Sequence, residues 1–70
     1  LPGNRFAVLL SETSFADFAA QVKAHPEIDT LYIVTDSEPA FRMMTDTLPG
    51  RTAYQLYRDY LENFQINLRR

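Results

Sequence analysis

The stretch Thr30 to Phe41 constrains this chain more than any other. Leu31 to Val34 is a short apolar run rich in β-branched and aromatic side chains, and a run without polar alternation suits a strand covered on both faces. It passes directly into Thr35-Asp36-Ser37-Glu38-Pro39. Ser37 can accept from the free amides of a following helical turn, and Pro39 fits a first turn because its missing N–H costs nothing there. Asp36 and Glu38 place negative charge at the positive end of the helix dipole. Strand, polar turn and helix in succession make an α/β unit. The turn then lies at the carboxyl end of the sheet, where such folds carry their sites.

The flanking segments repeat this grammar. Phe6 to Leu10 is a first strand, apolar throughout and so expected to be interior or covered on both faces. Thr13 or Ser14 can cap the next helix, and Asp17 follows Ser14 at capping-box spacing. Phe15, Phe18, Ala19 and Val22 form one helical stripe. His25 before Pro26 stops that helix, since the residue preceding proline avoids the α region. A second helix is predicted over Pro39 to Thr47, with Phe41, Met44 and Leu48 inward and Met43 beside Met44 as gap-filling core. Pro49-Gly50 ends it. Thr52 to Tyr57 is a more mixed third strand, and Gln55 marks it as an edge or a half-exposed face. Tyr57, Tyr60, Leu61 and Phe64 predict a last short helix over Asp59 to Phe64, with Ile66 as its tail.

The sum is one α/β domain over residues 1–70, β-α-β-α-β-α, with a three-stranded parallel sheet and right-handed crossovers. Strand order is 3-2-1 or 2-1-3, and the apolar run at Leu31 favours 3-2-1 by looking central. A domain of 70 residues buries only about 60% of its unfolded surface, so its stability is marginal. With no cysteine, neither disulfides nor thiolate metal sites can add to it. The net charge of −2 lacks the basic balance of a free-standing nucleic-acid binder. No apolar run approaches the ~20 residues of a membrane span. Beginning at Leu1, the chain is expected to be a carboxy-terminal piece of a longer protein, and cytoplasmic.

Each strand ends in polar residues that would gather along one sheet edge. Asp36, Glu38 and Asp59, with Glu12 nearby in the fold, form a carboxylate cluster whose hard oxygens would suit Mg²⁺ in a phosphoryl-transfer or nuclease-like module. The competing reading, preferred here, is that these acids and hydroxyls finish helices. Gly3 and Gly50 are the only glycines, and neither follows a strand and opens a helix, so no phosphate-cradling loop is present. His25 has no neighbouring nucleophile in sequence to activate. Tyr54, Tyr57 and Tyr60, with Arg58, form a candidate interaction surface, because tyrosines with one wet end suit protein interfaces. Base stacking by these rings and Phe64 ranks lower on the acidic charge. A further option is DNA contact through Arg51, Arg58, Arg69 and Arg70, marked by steep salt dependence.

Two stretches, Tyr32-Ile33-Val34-Thr35-Asp36-Ser37-Glu38-Pro39-Ala40-Phe41 and Leu56-Tyr57-Arg58-Asp59-Tyr60-Leu61-Glu62-Asn63-Phe64-Gln65-Ile66-Asn67, bridged by Leu48-Pro49-Gly50, resemble the carboxy-terminal segment of bacterial site-specific DNA-methyltransferases. The similar proteins are adenine-specific modification subunits of type III restriction-modification systems, and the likeness runs from about Phe6 to Asn67. It implies a parent that transfers methyl from S-adenosylmethionine to adenine in DNA. The catalytic Asp/Asn-Pro-Pro-Tyr motif and the glycine-rich cofactor motif of such enzymes do not occur in this sequence. No catalytic, cofactor-binding or metal residue is therefore carried over to any position here. The resemblance implies an accessory domain. It would dock onto the rest of the methyltransferase subunit, pair with itself or bind a restriction subunit, and meet DNA through its parent.

Overall fold

The computed structural model describes residues 5–59. Within them the chain forms β1 (Phe6–Leu9), a 3₁₀ turn (Glu12–Ser14), α1 (Phe15–Ala24), β2 (Thr30–Val34), α2 (Glu38–Thr47) and β3 (Thr52–Leu56). The strands make one parallel sheet in the order β1-β2-β3. This is the favoured 3-2-1 order with the apolar run at its centre. The helix expected over Asp59 to Phe64, with its tail at Ile66, lies outside the described residues beyond Asp59.

Strand order decides where the helices go. Two successive right-handed crossovers, each stepping one strand in the same direction, must both pass over the same side of the sheet. The core shows this. Leu9 of β1 and Leu31 and Ile33 of β2 share one buried cluster with Ala19 and Val22 of α1 and with Met44 and Leu48 at the end of α2. Ala7, Phe15, Phe18, Phe41 and Ala53 pack against it. Burying each of the larger aliphatic side chains stabilises the fold by roughly 1.5–3 kcal/mol. The α1 stripe lies inward as its spacing demands. In α2 only Met44 of the methionine pair is core, while Met43 is 60% exposed. One residue is about 100° around a helix, which carries Met43 off the inward stripe.

The expectation that β1 is interior or covered on both faces is corrected by the same topology. β1 is an edge strand, and Phe6 and Val8 on its second face are exposed. Both described helices use the other side. The apolar composition of β1 thus does not signal double coverage.

Helix starts follow two different designs. Ser37 caps α2 as expected, its Oγ accepting from the Ala40 amide at 3.2 Å, with Pro39 in the first turn. Of Thr13 and Ser14, the two expected caps of α1, Ser14 holds the cap position but makes no side-chain cap bond. The 3₁₀ turn already leads the backbone into α1, with Ser14 N–H donating to the Ser11 carbonyl at 3.1 Å. The capping hydroxyl is displaced to Ser11, which accepts from the Thr13 amide at 3.3 Å. At the far end, Gly50 has φ +85°, a left-handed turn that lets the chain leave α2 for β3. No described helix is long and apolar enough to cross a membrane.

Candidate functional site

Two features of the surface are candidates for function: the polar carboxyl edge of the sheet and the face on which, among the described residues, no helix packs. The edge is organised by Thr35, a residue that sequence reasoning passed over. Thr35 is fully buried. Its hydroxyl donates to Glu12 Oε2 at 2.9 Å and accepts from the Ser37 amide at 3.1 Å. Its amide donates to the Leu56 carbonyl at 3.0 Å, and its carbonyl accepts from Gln55 Nε2 at 2.9 Å. One residue therefore ties the three strand ends together. This also explains Gln55, a polar residue that points toward the helix-covered side of edge strand β3. The only sequence signal for the hub was a lone hydroxyl ending an apolar run.

The carboxylates expected to cluster are each turned to a separate task. Asp36 Oδ1 accepts from the Arg58 amide at 2.9 Å, where the chain leaves β3. The hydrogen bond of Asp36 thus goes to the segment after β3, while its place just before Ser37 keeps its charge at the amino end of α2. Glu38 faces Arg42 one turn along α2 at 3.1 Å. Glu12 is the acceptor for Thr35. Asp59 is exposed and follows the residue that Asp36 holds. Among the described residues no three His, Cys, Asp or Glu side chains converge in a way that could hold a metal ion.

The cations are divided as well. Arg51 donates to the carbonyls of Val22 and Ile28, both at 3.1 Å, and of Pro49 at 3.4 Å. It works as a clamp that satisfies the end of α1, where the dipole favours a cation. It does not stand beside Arg58, which follows β3 at the opposite edge of the sheet. Arg69 and Arg70 lie outside the described residues. His25 Nδ1 lies 3.2 Å from Glu27 Oε2 on the surface. The Glu27 carboxyl is held below its ordinary value of 4.5, first by its own backbone N–H and then by His25.

The sheet face away from α1 and α2 carries a second aromatic group. Parallel pairing sets Val8, Tyr32 and Tyr54 in one row across the three strands, with Phe6, Thr30 and Thr52 in the next. The Tyr32 and Tyr54 rings stack at 5.5 Å between centroids, and Phe6 meets Tyr32 edge-on at 5.8 Å. Phe6 is 64% exposed and Tyr54 51%. Tyr57, just past β3, is also exposed, and Tyr60 lies outside the described residues. Val34, on the same face near its carboxyl end, is buried, so the open apolar surface is concentrated toward Phe6, Val8 and Tyr54. Of the residues singled out from sequence, Tyr54 belongs to this surface, whereas Phe6, Val8 and Tyr32 were missed. Their shared parity on three short strands was the available signal, but only strand order and register turn parity into a patch.

No protein-family model, curated protein or solved structure matches this chain.

Proposed function

We propose that the chain is a non-catalytic accessory domain that works by binding protein, and that its partner is the rest of an adenine-specific DNA methyltransferase subunit of a restriction-modification system. The observation that carries the binding role is the apolar patch in which Phe6, Val8 and Tyr54 are exposed around a half-buried Tyr32. Contiguous apolar surface of this kind, rich in tyrosine, marks protein contacts. The arrangement favours protein over nucleic acid. Tyr32 and Tyr54 already spend ring faces on one another, and a base needs an open ring face to stack on.

The parent is proposed from the resemblance of Tyr32 to Phe41 and of Leu56 to Asn67 to such methyltransferases. In that parent, S-adenosylmethionine and the target adenine are handled by other segments, in the cytoplasm. This domain docks on the subunit through its tyrosines, with Tyr54 as a central anchor and Tyr57, Arg58 and Tyr60 extending it.

Titration of the chain into the separately expressed remainder of its parent subunit, followed by calorimetry, tests the reading. Saturable binding is expected, weakened by Tyr54→Ser and by Phe6→Ser. Absence of binding, or binding indifferent to both substitutions, would sink it.

A further inference from the structure

We propose that the free edge of β1 is a self-pairing surface, through which two copies of this chain join antiparallel about a twofold axis at Val8. Among the described residues β1 has a single strand neighbour, β2. Among the described residues no strand pairs with its other edge, whose amides and carbonyls are a ready template for another strand. Natural edges are commonly blunted by lysine, proline or an inward charge. Phe6 to Leu10 carries none of these. Instead Phe6, Val8 and Leu10 are exposed, Leu10 by 68%. A shallow groove of about 350 Å³ runs between this strand and α1, lined in part by Val8, Leu10, Phe18 and Gln21, so α1 leaves room at the strand's outer side.

The occupant is argued from self-complementarity. Facing residues of an antiparallel pair lie on the same side of the sheet. An axis at Val8 therefore sets Phe6 opposite the partner copy's Leu10, Val8 opposite Val8, and Ala7 opposite Leu9. Every such pair is apolar. The charges also order themselves. Arg5 falls opposite the partner copy's Ser11, next to Glu12, so the cationic start of each strand meets the acidic turn that ends the other. A twofold contact requires one patch to match itself in this way. An unrelated strand would have to reproduce both the apolar row and the charge order. The pairing would join two three-stranded sheets into one and continue their aromatic faces. It stands independently of the methyltransferase reading.

Sedimentation equilibrium of the chain alone, from micromolar to millimolar concentration, reads the association directly. A reversible dimer is expected. Val8→Lys and Val8→Glu should each weaken it on the order of tenfold, because like charges then face each other across the axis. An equimolar mixture of the two variants should restore it. If either change lowers the urea midpoint, Phe6→Glu mixed with Leu10→Lys tests the same register. A single-copy mass throughout, dimers unaffected in the separate variants, or a mixture no stronger than its components would each overturn the proposal.

Discussion

The two faces of this sheet are built from the same three strands in the same register, yet they have opposite fates. On one side Leu9, Leu31 and Ile33 meet two helices and disappear from solvent. On the other, Tyr32 stacks on Tyr54 and meets Phe6 edge-on, while Phe6, Val8 and Tyr54 stay exposed. Composition does not separate them, since both faces are mainly apolar in β1 and β2. Connectivity does. Sequential strand order with right-handed crossovers sends both described helices to one side, and among the described residues no helix packs on the other. An apolar strand is therefore not proof of a doubly covered strand.

The sharpest way to test the contrast is to truncate one residue on each face. Ile33→Ala empties a fully buried position and should cost about 2–5 kcal/mol, enough to unfold much of a small domain. Tyr54→Ala removes a half-exposed ring stacked on Tyr32 and should cost less than about 1 kcal/mol. Urea denaturation of the two variants makes the comparison, and equal losses would mean that the second face is core. Next in size is the tie between the faces at the carboxyl edge. Thr35→Val keeps the shape but removes the hydroxyl that joins Glu12 to the Ser37 amide. A loss of about 1–3 kcal/mol is expected, with amide exchange rising at Ser37.

A smaller effect separates backbone from packing on the helix-covered side. Gly50→Ala meets no atom within 4 Å, yet it must adopt φ +85°. It should cost about 1–2 kcal/mol from conformation alone, and Gly50→Asn should cost less because asparagine tolerates that region. The smallest effect belongs to Glu27, an exposed group that contacts neither face. Its folded value lies below the ordinary 4.5. Its contribution is therefore present above that ordinary value and is lost as pH falls through the folded one. Glu27→Gln should slightly lower stability at neutral pH, where that contribution is present, leave it unchanged at low pH, and so flatten the acid side of a stability–pH curve.

The fold was legible to the extent that local chemistry repeats. The stripe Phe15, Phe18, Ala19, Val22, the stop at His25-Pro26, the cap at Ser37 and the turn at Pro49-Gly50 are all short-range signals, and each marks a real boundary. Central placement of β2 followed from its composition. Where an assignment needed a partner distant in sequence, short-range signals failed. Asp36 looked like a cap for α2 because it precedes it, but it serves Arg58, 22 residues away. Arg51 looked like a free cation, but it closes α1 from 29 residues on. Ser14 lost the cap to Ser11 because a 3₁₀ turn intervened. The tyrosines were grouped by spacing along the chain, whereas Tyr54 pairs with Tyr32 across the sheet.

The sequence alone determined the alternation of strand and helix, their lengths and the side each helix turns inward, because periodicity, caps and glycine or proline act within a few residues. Only the tertiary structure decided which strand face stayed open and which polar groups joined at the Thr35 edge. Those outcomes depend on strand order and crossover hand, which bring together residues with no local influence on one another.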